Sequence, residues 1–258
     1  MTFGYYPGCT LKTKAKELDL YARHSAEALG VTLSELPEWE CCGGVYTTAA
    51  DELATKLPAV RALMSAGESG TPLVTLCSAC HNVIKQTKYA LNNDTNMAFK
   101  VGNYLKCDMS TAANASVVHY LEMLRDTVGF DELAKHVKNP LTGRKIAAYY
   151  GCLLLRPGKT MQFDDPENPR IMEDFIRALG AEPVKYPMRN ECCGGYLTIE
   201  DSDAARRNSM AVSESAAGFG ADCLITACPL CRYNLIKAES PVPVFYFTEL
   251  LAEALGVK

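Results

Sequence analysis

The sequence lacks the features that mark secreted, membrane-spanning and nucleic-acid-binding proteins. Its N-terminal stretch MTFGYYPGCT has neither a basic region nor an apolar run, so no signal peptide is predicted. No apolar stretch approaches the roughly 20 residues that a membrane span needs. The net charge is −4 and no basic tract is present, which argues against a nucleic-acid partner. These absences predict a cytoplasmic protein with no membrane span.

Cysteine is the residue type in excess. The chain has 258 residues, 48% of them hydrophobic, and can form one large domain or two modest ones. It also contains twelve cysteines. In a cytosol that keeps thiols reduced, so many cysteines indicate metal binding or redox chemistry rather than a disulfide framework. No GxGxxG fingerprint or P-loop is present, which fits a protein that depends on partner chains.

Ten of the cysteines form two copies of one unit. The spacing Cys-x31-Cys-Cys-x34-Cys-x2-Cys returns in the second half with x39 in place of x31, and ECCGG stands at both 40–44 and 191–195. The eight extra residues are assigned to the loop LLLRPGKTMQFDDPENP. We interpret the pattern as an internal duplication. The repeated residues are Cys9, Cys41, Cys42, Cys77 and Cys80, then Cys152, Cys192, Cys193, Cys228 and Cys231.

Each copy alternates predicted strands with predicted helices. Strands are predicted for TFGYY, RKIAAYY, PLVTL and CLITA, each leading toward a cysteine. Helices are predicted for LKTKAKELDLYARHSAEALG, DELATKLPAVRALMSAG, RIMEDFIRALG and DSDAARRNSMAVSESAAGFG, and each CxxC opens a further helix.

This alternation predicts an α/β fold of two duplicated lobes, each with a short, mainly parallel sheet flanked by helices. The first lobe covers residues 1–142 and includes a polar, lobe-specific excursion at about 88–116. The second lobe covers residues 143–258. Ligands of such sheets gather at the carboxyl ends of the strands, which is where the cysteines fall.

Five cysteines in each copy exceed what common metal sites use. A structural zinc takes four ligands, and so does an ordinary cubane cluster. Adjacent cysteines leave opposite sides of an extended backbone, so both reach one centre only if the chain turns sharply, as Gly-Gly allows. Five thiolates suit several irons with one bridging thiolate. Zinc, mixed sites and redox disulfides stay open as alternatives.

The duplicated five-cysteine unit with its CCGG core resembles the CCG domain of the heterodisulfide reductase B subunit, over nearly the whole chain. The resemblance implies two noncubane [4Fe–4S] clusters. It assigns one to Cys9, Cys41, Cys42, Cys77 and Cys80, and the other to Cys152, Cys192, Cys193, Cys228 and Cys231. It also implies an oxidoreductase that splits the heterodisulfide of coenzyme M and coenzyme B, or a related disulfide, as in methanogenesis. Each cluster would supply one of the two electrons and bind one substrate sulfur.

The resemblance further implies partner chains. Electrons would arrive through a ferredoxin-like C subunit from a flavin-containing A subunit. The substrate would be a small-molecule disulfide, and since both coenzymes are anionic, cations near the cysteines are candidate binding groups. These are Arg156, Lys159 and Arg232, with Lys85 and Lys237 also near. His81, directly after Cys80, is a candidate proton donor.

Two other functions are compatible with the residues. The chain could be an electron relay in a respiratory or sulfur-metabolising complex, since related CCG subunits accompany fumarate-reducing systems. It could also be an assembly subunit with zinc in one lobe. Cys107 and Cys223 have no counterpart in the other copy, and we expect them to be structural thiols.

Overall fold

Two four-stranded sheets, each entirely parallel, form the centres of the two lobes. The computed structural model describes residues 1–44 and 52–258. The first sheet has the order β2-β1-β3-β4 and the second the order β6-β5-β7-β8. The strands are β1 Thr2–Tyr6, β2 Thr32–Glu35, β3 Leu73–Thr75, β4 Val117–His119, β5 Lys145–Tyr149, β6 Glu182–Val184, β7 Cys223–Thr226 and β8 Val244–Tyr246. The predicted fold class is confirmed.

Helices connect the strands and cover the sheets. In the first half of the described chain they are α1 Cys9–Thr13, α2 Lys16–Ala28, α3 Glu52–Ser69, α4 Ser78–Asn93, α5 Thr95–Leu105, α6 Ser110–Asn114, α7 Tyr120–Met123 and α8 Phe130–His136. A π-helical turn, Leu124–Val128, joins α7 to α8. In the second half they are α9 Gly158–Met161, α10 Ile171–Ala178, α11 Ser202–Gly218, α12 Pro229–Lys237 and α13 Phe247–Leu255, with 3-10 turns at Pro187–Asn190 and Gly195–Thr198.

The central strands are apolar because helices cover both faces of each sheet. Every residue of β3 and of β7 is buried, as expected for strands in the middle of a parallel sheet. Asp201 caps α11 by accepting a hydrogen bond from the backbone N–H of Ala204 at 2.8 Å. The start of the corresponding helix of the first copy, predicted at Asp51, lies outside the described residues.

The prediction of a single helix over residues 11–30 was wrong in one respect, because two helices occupy that stretch. Ala15, at φ −133° and ψ 46°, leaves the helical region and separates α1 from α2. The chain then turns at Gly30, whose φ is +71°. The excursion expected at about 88–116 contains the end of α4 together with α5 and α6, which stand between α4 and β4. In the second lobe α12 leads directly to β8, with no helix between them.

The two lobes are packed against each other through buried polar contacts. The hydroxyl of Tyr246 donates to the carbonyl oxygens of Leu76 at 2.6 Å and Ala227 at 3.0 Å, one in each lobe. Thr248, at the start of α13, donates to the carbonyl oxygen of Leu18 in α2 at 3.2 Å. The carboxyl ends of β3 and β7 therefore face each other across the lobe interface.

Candidate metal centre

The five predicted cysteines of the first lobe come together at the carboxyl end of its sheet. Cys9 follows β1 and Cys77 follows β3, the two strands between which the strand order reverses. The thiol of Cys41 contacts the sulfur of Cys9 at 3.3 Å, and that of Cys42 contacts the sulfur of Cys80 at 3.4 Å. Cys42, Cys77 and Cys80 are buried, whereas Cys41 is exposed.

The second lobe repeats this arrangement. The thiol of Cys152 contacts the sulfur of Cys192 at 3.6 Å, and that of Cys193 contacts the sulfur of Cys231 at 3.5 Å. Cys192 is exposed, as its counterpart is in the first lobe, and Cys228 is buried at the carboxyl end of β7. The duplication read from the sequence is therefore also a duplication of sulfur positions.

A glycine stands before the first cysteine of each set, and the sulfurs require it. Gly8 has φ +78°, and a Cβ placed on it would lie 2.8 Å from the sulfur of Cys80. Gly151 has φ +64°, and a Cβ there would lie 3.2 Å from the sulfur of Cys231. A side chain at either position would press on a sulfur in addition to straining the backbone. The chain thus leaves free the space next to these sulfurs.

The turn that brings adjacent cysteines to one centre is also built twice. Gly43 and Gly194, which follow the pairs, both lie in the left-handed region at φ +73° and +78°. The backbone N–H of Gly194 donates to the sulfur of Cys192 at 3.3 Å. The Gly-Gly sequence therefore has the role that was predicted for it, which is to reverse the chain behind the cysteine pair.

A tyrosine at the end of the first strand of each lobe holds the same loop. The hydroxyl of Tyr6 donates to the carbonyl oxygen of Glu40 at 2.5 Å, and that of Tyr149 donates to the carbonyl oxygen of Glu191 at 2.9 Å. Each glutamate directly precedes its cysteine pair. Tyr6 and Tyr149 were missed in the sequence, although both stand three residues before the first cysteine of their sets.

The two cysteine sets meet at Cys77 and Cys228, one from each lobe. The backbone N–H of Ser78, next to Cys77, donates to the carbonyl oxygen of Ala227, next to Cys228, at 3.1 Å. Interactions with the thiols of Cys231 and then Cys77 lower the pKa of Cys228, and the interaction with Cys228 raises the pKa of Cys77. Hydrogen bonds from Cys41 and Cys80 likewise lower the pKa of Cys42. A lowered pKa favours the thiolate, which is the form that binds metal.

The donor set fits an iron–sulfur group better than a single ion. All twelve cysteines are free thiols, and ten of them supply the two sets. Soft thiolate donors suit iron–sulfur clusters, and five per lobe suit a group with several metal atoms.

His81 lies behind the first cysteine set in a buried polar network. Its Nδ1 shares a hydrogen bond of 2.8 Å with Thr75 Oγ1, and its Nε2 lies 3.4 Å from Glu122 Oε2. Burial lowers the pKa of His81 and raises the pKa of Glu122. In the second lobe Arg232 takes the place of His81, and its Nε lies 3.3 Å from Glu249 Oε2.

The candidate substrate cations are engaged with other groups. Arg156 donates to the carbonyl oxygen of Asn190 at 2.9 Å and pairs with Glu167 at 3.0 Å. The ammonium of Lys159 lies 5.6 Å from the ring centre of Tyr89, in α4 of the other lobe. Arg232 pairs with Glu249, as described above. Lys85 donates to the carbonyl oxygen of Met161 and Lys237 lies over the ring of Tyr233.

The two cysteines without a counterpart lie away from the sets. Cys107 is half-buried with its sulfur 3.8 Å from the sulfur of Met64. Cys223 is buried in β7, and the guanidinium of Arg144 lies 3.9 Å from its sulfur. These surroundings are consistent with the structural role expected for both thiols.

The fold and the site together define a duplicated α/β protein with one cysteine-rich centre in each lobe. The chain belongs to the cysteine-rich CCG domain family, whose model matches residues 3–85 and 146–236. Within the described part of the chain, none of the helices combines the length and the apolar character that crossing a membrane requires.

Two relatives extend this result over nearly the whole chain. The 8-methylmenaquinol:fumarate reductase membrane anchor subunit of Wolinella succinogenes is 32% identical, over 99% of this chain and 92% of its own length. The B subunit of the ferredoxin/F420H2-dependent CoB-CoM heterodisulfide reductase of Methanosarcina acetivorans is 26% identical, over 97% of this chain and 88% of its own length. The resemblance to the heterodisulfide reductase B subunit is therefore confirmed.

One solved structure shares the fold. A hypothetical protein from Helicobacter pylori superimposes with a TM-score of 0.74 at 15% identity. The match covers 100% of this chain and 49% of that one. At this level of identity the likeness concerns the fold alone.

Proposed function

We propose that this chain is the disulfide-reducing subunit of a heterodisulfide reductase-like complex, with one noncubane [4Fe–4S] cluster on each five-cysteine set. The observation that carries the proposal is that two complete cysteine sets are joined across the lobes, because Ser78, next to Cys77, donates two hydrogen bonds to the carbonyl oxygen of Ala227, next to Cys228. Two one-electron centres side by side match the two electrons that one S–S bond requires.

The reaction balances as one disulfide plus two electrons plus two protons giving two thiols. When bound, the two clusters supply the electrons, one each, and a ferredoxin-like partner chain fed by a flavin-containing one replenishes them. The chain's own residues hold the sulfurs in place, since Tyr6 and Tyr149 fix the loops that carry the cysteine pairs. His81 is the proposed proton donor, and because burial lowers its own pKa it would pass on a proton from Glu122, whose pKa burial raises and whose Oε2 lies 3.4 Å from the Nε2 of His81.

A second function is favoured by one specific comparison. The relative at 32% identity is named as the membrane anchor subunit of an 8-methylmenaquinol:fumarate reductase. In that role this chain would pass electrons from a partner chain to another acceptor, and no thiol would be formed. An assembly role with zinc in one lobe is the third possibility.

Metal analysis and one assay separate these functions. We expect the anaerobically purified chain to contain iron and sulfide for two clusters and no zinc. With reduced viologen as the electron donor, we expect each molecule of disulfide consumed to yield two thiols. A protein that contains iron but forms no thiol from any disulfide would favour the electron-relay function. Zinc without iron would refute the cluster assignment.

A further inference from the structure

A loop of the second lobe is packed on α4, the helix that carries the CxxC motif of the first lobe. The side-chain amide of Asn82 in α4 donates to the carbonyl oxygens of Leu153 at 2.7 Å and Arg156 at 2.8 Å. Lys85, one turn further along α4, donates to the carbonyl oxygen of Met161, whose own side chain is fully buried. This face of α4 is therefore covered by a peptide segment, which is held through its backbone carbonyl groups.

The duplication creates a second junction of the same kind, between α12 of the second lobe and the chain that follows Cys9. Counted from the CxxC motif of each helix, Tyr233 stands where Asn82 does, and Ile236 stands where Lys85 does. The side chains of Tyr233 and Ile236 are 56% and 48% exposed. The face of α12 that corresponds to the covered face of α4 is therefore largely apolar and accessible.

The chain at this second junction is too short to cover the helix. Residues 153–170 stand between Cys152 and α10, whereas only residues 10–15 stand between Cys9 and α2. The first copy thus has no counterpart of the segment that contains Met161. In the part of the chain that the structure describes, a groove remains between α12 and the start of α2, with an empty space of about 740 Å³ counted out to open solvent.

The groove combines apolar side chains with positive charge. Its apolar lining includes Leu18 and the two exposed side chains of α12. Its charged lining consists of Lys14, Arg232 and Lys237, and no described carboxylate is among the lining residues. Arg232 is paired with Glu249, at 3.3 Å, but neither lysine is paired with a carboxylate of the described chain. Complementary charge therefore favours a ligand that presents carboxylates beside an apolar group.

We propose that this groove binds a short segment of a partner protein, in which one large apolar side chain is flanked by acidic residues. The kind of occupant follows from the molecule itself, since a peptide segment with the buried Met161 covers the equivalent face of α4. The apolar side chain would lie on Tyr233 and Ile236. The carboxylates would lie near Lys14 and Lys237. Binding at this groove goes beyond the proposed function and does not depend on which reaction the chain catalyses.

The test selects peptides from a phage-displayed library of random dodecapeptides on the anaerobically purified full chain. We expect the selected peptides to share one large aliphatic or aromatic residue with acidic residues on either side. The peptide that is enriched most is then labelled, and its dissociation constant is measured by fluorescence anisotropy. Selected peptides that are rich in lysine or arginine would overturn the proposal.

Variants assign the binding to the groove. Ile236→Asp removes the apolar contact and Lys237→Glu reverses a charge, so each should weaken the binding of the selected peptide at least tenfold. Phe99→Asp and Lys100→Glu, at exposed positions of α5, are the matched controls and should bind within threefold of the wild type. Urea unfolding of each variant shows whether the fold is kept. If Ile236→Asp does not fold, Lys14→Glu provides the same comparison.

Two results would contradict this assignment. Wild-type binding of the peptide in folded Ile236→Asp and Lys237→Glu would place the peptide elsewhere on the protein. Self-association of the wild-type chain, seen by size-exclusion chromatography and lost in Ile236→Asp, would make a second copy of the chain the occupant. Either result would overturn the proposed partner segment.

Discussion

Ser78 donates two hydrogen bonds to the single carbonyl oxygen of Ala227, from its backbone N–H at 3.1 Å and from its Oγ at 2.8 Å. Ser78 directly follows Cys77, and Ala227 directly precedes Cys228. The bonds therefore join the residues beside the two cysteines that meet across the lobes. Because both residues are buried, these hydrogen bonds stabilise the close approach of the two cysteine sets.

Tyr246→Phe should weaken the packing of the two lobes against each other. The change removes the donor to the carbonyl oxygens of Leu76 and Ala227 and keeps the ring, so we expect a loss of about 1–2 kcal/mol in stability. Urea unfolding of the iron-loaded protein under anaerobic conditions measures it. Tyr233→Phe, at an exposed tyrosine, is the matched control and should change stability by less than about 0.5 kcal/mol. Equal effects of the two variants would contradict the bridging role of Tyr246.

Gly8→Ala should disturb the first cysteine set specifically. A left-handed alanine costs about 1–2 kcal/mol at any such position, and at Gly8 the new methyl group would also lie 2.8 Å from the sulfur of Cys80. We expect iron content to fall by up to half, as one centre is lost. Gly143→Ala is the control, because Gly143 has φ +81° and no atom within 4 Å of its Cβ position. It should lose stability without losing iron.

The cysteine geometry was predictable because it repeats in sequence. The spacing placed each set at strand ends, and the Gly-Gly turn was expected from the adjacency of Cys41 and Cys42. Parallel sheets also followed from the alternation of strands and helices. Local chemistry and a duplicated pattern were therefore sufficient for the fold class and for the grouping of the sulfurs.

Contacts between the lobes were not predictable in the same way. Tyr246 reaches Leu76 over 170 residues, and no local pattern indicates such a pairing. The partners of Arg156 and Lys159 could not be predicted either, since the position of a charged residue near a cysteine in sequence does not reveal where its long side chain points.

Cys42→Ser should remove the first centre and leave the second. Cys42 is buried with its sulfur 3.4 Å from that of Cys80, and a hydroxyl is a poor replacement for a thiolate toward iron. We expect about half of the iron and sulfide to be lost, with loss of one set of electron paramagnetic resonance signals. Cys107→Ser, outside both sets, should retain all the iron. Full iron content and full activity in Cys42→Ser would refute the five-ligand assignment.

His119 should make the protein less stable as the pH falls below neutrality. Its ring is fully buried between His81, Phe163 and Phe247, and burial lowers the pKa of His119 from 6.5 to about 3. Between these two values the unfolded chain binds a proton that the folded chain does not. Stability is therefore retained above about pH 6.5 and declines by about 1.4 kcal/mol per pH unit below it, for this residue alone.

The variant His119→Gln has no imidazole to take up this proton. The stability of the variant should therefore decline less steeply as the pH falls, whatever its value at neutral pH. Urea midpoints measured between pH 7.5 and 5.5 give the slope for each protein. His24→Gln, at an exposed histidine, is the control and should keep the wild-type slope. The same slope in His119→Gln and the wild type would show that the buried ring accepts its proton without unfolding. The burial of His119 between the lobes would then not be what sets the acid sensitivity of the fold.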